Sequence, residues 1–159
     1  MATSVHLRQA TLADLDACIA IERAVFAPAE VAIRAQIELR IRQHPEGFIV
    51  AVASTHIVGF INTGCTTKDD IADEVLKSLV GHDPTGAHLV VFSVAVQPAW
   101  QGRGIATRLL QAIVVFARQQ RKRAILLLCK LELTGFYERL GFENRGPSAQ
   151  RTEESSGIR

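Results

Sequence analysis

One segment of the sequence, Val94-Ala95-Val96-Gln97-Pro98-Ala99-Trp100-Gln101-Gly102-Arg103-Gly104-Ile105-Ala106, combines signals for a strand, a turn and a helix. The valine-rich apolar run at residues 88–96 predicts a buried strand, and apolar residues at helical spacing predict a helix that continues to about Gln120. Between them lies a turn that contains Gly102 and Gly104. Successive backbone N–H groups in such a turn point into one concavity, and the helix start adds partial positive charge. The segment is therefore a candidate site for a phosphate-bearing ligand.

The two glycines suit this role because a backbone without Cβ atoms adopts unusual dihedral angles and approaches a diphosphate closely. Taken alone, they are explained equally well by a tight turn. The spacing excludes two other phosphate sites. It lacks the Gly-Lys-Ser/Thr of a P-loop, and it lacks both the full glycine set and the early strand–helix–strand unit of a dinucleotide fold.

Length and composition limit the function classes. The chain has 159 residues, the size of one domain, and its 48% apolar and 21% charged residues exclude a disordered protein. A net charge of +2 argues against nucleic acid as the main partner. No signal-peptide or membrane-spanning pattern is visible, and the three cysteines lack the spacing of zinc ligands or disulfides. We expect a cytoplasmic protein with no metal, membrane or nucleic-acid partner.

Hydrophobic periodicity predicts the order of the elements. Strands are predicted at residues 5–7, 48–53, 57–65, 88–96 and 124–129, with a last strand from 141. Helices are predicted at residues 12–26, 30–43, 71–79, 105–120 and 134–140. This order gives a mixed α/β sheet and not a simple βαβ series. We expect one domain at residues 5–146 and a flexible tail at 147–159.

Three sets of motifs make the chain resemble the GCN5-related N-acetyltransferases (GNAT). The element Gln101-x-x-Gly104-x-Ala106 is similar to the family's Q/R-x-x-G-x-G/A, which binds the pyrophosphate of acetyl-CoA. The segment Phe136-Tyr137-Glu138-Arg139-Leu140-Gly141-Phe142 resembles the family's F-Y-E-x-x-G-F ending. Upstream, three segments are similar to the arylalkylamine (serotonin-type) branch: Phe26-Ala27-Pro28-Ala29-Glu30, Pro45-Glu46-Gly47-Phe48 and Val58-Gly59-Phe60-Ile61.

The resemblance implies a fold and a co-substrate. The fold is a mixed, mostly antiparallel central sheet with a splayed central strand pair, flanked by helices, and the co-substrate is acetyl-CoA, without a metal. The backbone of Val94, Ala95 and Val96 would bind the pantetheine arm and the acetyl oxygen. The turn and helix start would hold the pyrophosphate through Gln101, Gly102, Arg103, Gly104, Ile105, Ala106 and Thr107. Arg103 and Arg108 are candidate contacts for the CoA phosphates. Lys130 stands where many family members carry an asparagine that contacts pantetheine.

Acetyl transfer to an amine needs a polarised thioester carbonyl, removal of a proton from the amine and a proton for the departing thiolate. The resemblance assigns the last role to Tyr137, the only tyrosine; the alternative is a core tyrosine beside Phe136. In vertebrate arylalkylamine enzymes two histidines of the central strand relay the amine proton. Their positions are Val90 and Phe92 here, so that relay is absent.

The general base is therefore open. Glu30 matches an acidic residue of the non-vertebrate branch and would hold the amine or remove its proton through water. It equally suits an acidic residue at a helix N-terminus. His88, which is predicted on the same side of the strand as Val90 and Phe92, and water are the other candidates.

The resemblance implies an acetyl-CoA-dependent N-acetyltransferase acting on a primary amine. The expected partner is a small arylalkylamine- or polyamine-like acceptor, and the expected state is a monomer or homodimer. Two alternatives stay open: a CoA-binding module with weak or no catalysis, and a protein N-acetyltransferase.

Overall fold

Strands and helices follow one another in a mixed α/β order in the computed structural model, which describes residues 4–28, 32, 34–67, 82–147 and 155–158. The strands are β1 Val5–Gln9, β2 Phe48–Ala53, β3 His56–Thr66, β4 His88–Val96, β5 Ala124–Lys130, β6 Asn144–Pro147 and β7 Ser155–Ile158. The helices are α1 Leu15–Val25, α2 Arg34–Gln43, α3 Ile105–Gln119 and α4 Thr134–Arg139. The helix predicted at 71–79 lies outside the described residues.

The chain folds into two units. The first comprises Met1–Thr63 with Ser93–Phe116, and the second comprises Gly64–Phe92 with Ala117–Arg159. Strands β3 and β4 each contribute to both. None of the helices in the described residues is long and apolar enough to cross a bilayer.

In the first unit β1, β2, β3 and β4 are hydrogen-bonded neighbours in that order. The β1/β2 and β2/β3 pairs are antiparallel, so the two strands predicted at 48–53 and 57–65 form a hairpin. Its connection is tight because Ser54 adopts a left-handed φ of 54°. Phe48 lies opposite Asn62 at the far end of the hairpin, so this polar residue sits deep in the sheet.

Apolar residues of α1 and α2 pack with residues of β2, β3 and β4 in one core of the first unit. The cluster comprises Ala10, Leu15, Cys18, Ile19, Ile21, Ile37, Ile41, Phe48, Val50, Val52, Ile57, Phe60 and Ala95. Ile37 and Ile41 are buried, whereas Ala35 is exposed in the first turn of α2. The inward face of α2 carries Arg40 together with the two isoleucines.

In the second unit β4, β5, β7 and β6 are neighbours in that order. The β4/β5 pair is parallel, from His88 opposite Ala124 to Val91 opposite Leu127, and the β5/β7 and β6/β7 pairs are antiparallel. The prediction of a mixed, mostly antiparallel sheet is confirmed. Strand β7 lies within the segment 147–159, for which the sequence predicts a tail. The prediction missed it because Ser155–Ile158 shows no alternation of apolar and polar residues.

The strand predicted from Gly141 begins three residues later, at Asn144. Gly141 instead ends helix α4, with a left-handed φ of 98°. Its N–H donates to the Glu138 carbonyl at 3.0 Å, and the N–H of Phe142 donates to the Tyr137 carbonyl at 3.1 Å. These bonds satisfy the last carbonyls of the helix, which is the usual reason for a glycine at this position.

Candidate functional site

The turn between β4 and α3 is held in shape by hydrogen bonds to the strands on either side of it. The N–H of Gln97 donates to the Val58 carbonyl at 2.8 Å, so the chain leaves the sheet only after this residue. One short 3-10 turn, Pro98–Trp100, follows. The side-chain amide of Gln101 then reaches back and donates to the Val96 carbonyl at 3.0 Å. This bond ties the far end of the turn to the end of β4.

Gly102 and Gly104 both adopt left-handed backbone conformations, with φ of 78° and 80°. Residues with a Cβ rarely take these angles, so the turn requires glycine at both positions. A Cβ built on either glycine meets no atom within 4 Å in the described structure. The space beside the turn is therefore open, as a binding site for a bulky anion needs.

Helix α3 starts directly from this turn. The N–H of Arg108 donates to the Gly104 carbonyl at 3.0 Å, which is the first helical bond. The N–H groups of Ile105, Ala106 and Thr107 precede it and have no intrahelical acceptor. Unpaired N–H groups and the helix dipole together favour an anion at this point. The predicted binding residues of the turn and of the helix start thus form one continuous segment.

The two arginines predicted to contact CoA phosphates are placed differently. Arg103 is exposed, and its guanidinium lies 4.6 Å from the centre of the Trp100 ring, so it stays beside the turn. Arg108 donates to the Val5 carbonyl at 2.9 Å and thereby links α3 to β1. Arg103 is therefore the better placed of the two for a ligand on the turn.

The last residues of β4 offer backbone and not side-chain contacts. Ala95 and Val96 are buried and Val94 is half-buried, and Ala95 belongs to the core of the first unit. Strand β3 approaches this stretch closely at Gly59, where a Cβ would lie 2.9 Å from the Ala95 carbonyl oxygen. A ligand bound by this stretch would be held by main-chain groups.

In the second unit Tyr137 is 8% exposed and packs edge-on between two rings. The ring centres of Phe136 and Phe142 lie 5.0 and 5.8 Å from its own. Burial, with a smaller contribution from Cys129, raises the pKa of Tyr137 to about 12. Its phenol is therefore protonated throughout the neutral range.

The sequence analysis also singled out His88, Lys130 and Glu30. His88 is buried at the start of β4, opposite Ala124 of β5. Lys130 is the last residue of β5, and its side chain lies outside the described part of the chain. Glu30 also lies outside the described residues.

The sequence interpretation missed a set of buried polar side chains in the first unit. Glu22 and Arg40 are each 2% exposed, and Asn62 is fully buried. Desolvation raises the pKa of Glu22 to about 7 and lowers the pKa of Arg40 to about 10, so the arginine is charged at neutral pH. One signal was present, because Arg40 shares a helical face with Ile37 and Ile41.

Comparison with known proteins identifies the family of the chain. Residues 15–142 match the family model described as the acetyltransferase (GNAT) family. The chain is 26% identical over 107 residues to an uncharacterized N-acetyltransferase of Methanocaldococcus jannaschii; the match covers 65% of this chain and 42% of that protein. The chain therefore spans less than half the length of this curated relative.

Solved structures share the fold. One is the loading GNATL domain of CurA from Lyngbya majuscula, with a TM-score of 0.84 at 16% identity, covering 98% of this chain and 96% of that one. Another is Naa50 of Arabidopsis thaliana in complex with the bisubstrate analogue CoA-Ac-MVNAL. It has a TM-score of 0.71 at 17% identity, with 98% and 96% of the two chains covered.

We expect acetyl-CoA to raise the thermal stability of the protein, because a ligand that binds the folded state stabilises it. Gly104→Val should abolish this shift, since it places a branched side chain in the open space beside the turn and strains a φ of 80°. The measurement is the melting temperature with and without acetyl-CoA.

Gly141→Val is the matched control. It strains a φ of 98° and also meets no atom within 4 Å, but it lies at the end of α4. We expect both variants to lose stability and only the Gly104 variant to lose the shift. A full acetyl-CoA shift in Gly104→Val would show that the turn is structural.

Proposed function

The chain belongs to the acetyltransferase (GNAT) family, and we propose that it transfers an acetyl group from acetyl-CoA to a primary amine. The observation that carries the proposal is the β4–α3 turn, where two left-handed glycines lead directly into a helix whose first N–H groups have no acceptor within the helix. Such a turn suits the diphosphate of CoA. The Naa50 structure supports this, since its ligand contains CoA.

In the proposed reaction, negative charge forms first on the acyl oxygen and then on the leaving sulfur, and groups of the protein must stabilise both. The amine nitrogen attacks the thioester carbon, and the carbonyl electrons move onto oxygen. Those electrons return as the carbon–sulfur bond breaks, and the thiolate leaves with the bonding pair. In this proposal the backbone of residues 94–96 binds the acetyl and pantetheine groups, and the segment from Gln101 to Thr107 binds the pyrophosphate.

The phenol of Tyr137 is proposed as the acid that protonates the departing thiolate. A pKa of about 12 keeps the proton on the phenol until a strong base is generated. A thiol has a pKa of ~8.5 in water, but a thiolate held away from water is more basic, which reduces the difference between the two groups.

Tyr137→Phe should lower kcat on the order of 10²-fold, the usual cost of losing a positioned general acid. The ring contacts with Phe136 and Phe142 persist, so stability and the acetyl-CoA shift should hold. Because the phenol pKa is about 12, this group should cause no loss of wild-type activity between pH 7 and about 10. Steady-state kinetics across this pH range provide the measurement.

Phe136→Leu is the control for this substitution, because it disturbs the ring packing and keeps the phenol. It should cost stability without a comparable loss of kcat. If Tyr137→Phe has near-normal kcat while chemistry is rate-limiting, the tyrosine is a core residue and water or another donor protonates the thiolate.

Glu30 is proposed to hold the acceptor amine or to remove its proton through water. Glu30→Gln keeps the size of the side chain and removes its charge, so it should raise KM for the amine or lower kcat while the acetyl-CoA shift is unchanged. Glu38→Gln, an acid of α2 that is 3.8 Å from Arg42, is the matched control and should behave as the wild type. Wild-type kinetics in Glu30→Gln would leave His88 or water as the base.

For the acceptor, we favour a small arylalkylamine or polyamine, on the three segments that are similar to the arylalkylamine branch. A peptide N-terminus is the second candidate, because the Naa50 structure holds an analogue that includes MVNAL. The third, a CoA-binding module without catalysis, rests on Val90 and Phe92 standing in place of the histidine relay.

A panel of phenethylamine, spermidine and a pentapeptide with a free N-terminus tests these candidates, with CoA release measured against a blank without acceptor. We expect release above the blank with phenethylamine or spermidine. Preference for the peptide would identify a protein N-acetyltransferase. Release no faster than the blank, with the acetyl-CoA shift intact, would identify the non-catalytic module.

A further inference from the structure

Three buried polar side chains link α2, β3 and β4 of the first unit. The guanidinium of Arg40 donates from Nη1 to Oδ1 of Asn62 at 3.2 Å, and Nδ2 of Asn62 donates to Oγ of Ser93 at 3.0 Å. Burying such groups is costly even when they are paired. We call Arg40, Asn62 and Ser93 the Ser93 row. Within the described first unit it is the only place where a buried arginine is connected through side chains to β4.

The hydrogen bonds in this row run in one direction. A guanidinium has only donors, so the oxygen of the Asn62 amide must face Arg40. The NH₂ group of the amide then faces Ser93 and uses a lone pair of its hydroxyl oxygen. The hydroxyl proton of Ser93 is thereby directed to a different acceptor. Ser93 is 9% exposed, the most accessible of the three.

The position of Ser93 indicates which acceptor this is. It directly precedes Val94, the first of the residues whose backbone is proposed to bind the acetyl group, and it follows the last residue of the parallel ladder, Val91, by two positions. We propose that the Ser93 hydroxyl donates a hydrogen bond to the acyl oxygen of the thioester and that Asn62 and Arg40 are positioning residues for it. This inference rests on the proposed function.

The proposed bond strengthens as the reaction proceeds. When the amine attacks, the carbonyl pair moves onto the acyl oxygen, and the negative charge there attracts the Ser93 proton more strongly. The charge of Arg40 polarises the Asn62 amide and, through it, the hydroxyl. The proton stays on Ser93: the electrons return to re-form the carbonyl, the carbon–sulfur bond breaks, and the thiolate takes its proton from Tyr137.

Glu22 reduces the cost of burying Arg40. Its carboxylate accepts a hydrogen bond from the Ala32 N–H and acts on Arg40 as a counter-charge. Arg40 keeps its proton at neutral pH, since burial lowers its pKa only to about 10. The cationic end of the row therefore persists under assay conditions.

Ser93→Ala should lower kcat on the order of 10²-fold, as removal of an oxyanion donor does, with the acetyl-CoA shift and the amine KM unchanged. The readouts are acetyl transfer to the best amine of the panel and hydrolysis of acetyl-CoA, which forms the same oxyanion. Ser93→Thr keeps the hydroxyl and should retain most of the activity.

Thr63→Val is the matched control for loss of a buried hydroxyl. Its Oγ1 donates to the Gly47 carbonyl at 2.9 Å, outside the row. This variant should lose stability and keep kcat.

Asn62→Asp tests the direction of the row without changing its shape. One oxygen of the new carboxylate still accepts from Arg40, but the other accepts the Ser93 proton and withdraws it from the acyl oxygen. We expect a folded protein with an intact acetyl-CoA shift and a fall in kcat similar to that of Ser93→Ala.

Wild-type kcat in both Ser93→Ala and Asn62→Asp would overturn this inference and leave the proposed function standing. A wild-type protein that neither transfers nor hydrolyses the acetyl group would instead overturn the proposed function and this inference with it.

Discussion

The site depends on one constraint of the backbone: a strand that ends and a helix that begins a few residues later both leave polar groups without partners. At the strand end the chain meets this need itself, through the side-chain amide of Gln101 on the Val96 carbonyl. At the helix start the neighbouring residues Gly102 and Gly104 carry no side chains, and among the described residues no atom lies within 4 Å of a Cβ built on either one. Water or a ligand must therefore accept these N–H groups, and an anionic ligand benefits most.

Two carboxyl groups of the first unit, those of Asp14 and Glu22, have pKa values that are shifted in opposite directions. Asp14 accepts both guanidinium donors of Arg8 at 2.8 Å and the Thr11 N–H at 2.8 Å, and these bonds lower its pKa. Glu22 is more deeply buried, and desolvation raises its pKa to about 7. The first arrangement stabilises a charged side chain at the start of the α1 region. The second buries the charged Arg40 near a carboxyl group whose ionisation is opposed by burial, and such perturbed groups are frequent at functional sites.

The sequence predicts those elements of the fold that a local residue pattern determines. Strands β2, β3 and β4 and helix α3 follow from periodicity, and the turn between β4 and α3 follows from two glycines in a short motif. The motif ending at Phe142 likewise locates Tyr137 on a short helix. These features can be predicted without knowing which residues pack against them.

Hydrogen bonds between residues that are far apart in the sequence are not predicted by local patterns. Asn62 lies 22 residues from Arg40 and 31 from Ser93. The apolar face of α2 indicates that Arg40 is buried, but no local pattern connects it with Asn62 or Ser93. The raised pKa of Tyr137 depends on burial among rings, which the motif does not reveal.

Under the proposed chemistry, the Ser93 row and Tyr137 act at different stages of the reaction. A phenol with a pKa of about 12 is a weak acid, so it suits protonation of a thiolate and not of the intact thioester sulfur. The thiolate must first be expelled by the electrons on the acyl oxygen, and that requires an intermediate long-lived enough to collapse. Donors to the oxygen lower the energy of this intermediate, and a row that ends in a permanent cation does so without releasing a proton of its own. Stabilisation of charge and donation of a proton are thus assigned to different groups, each held in the protonation state that its role requires.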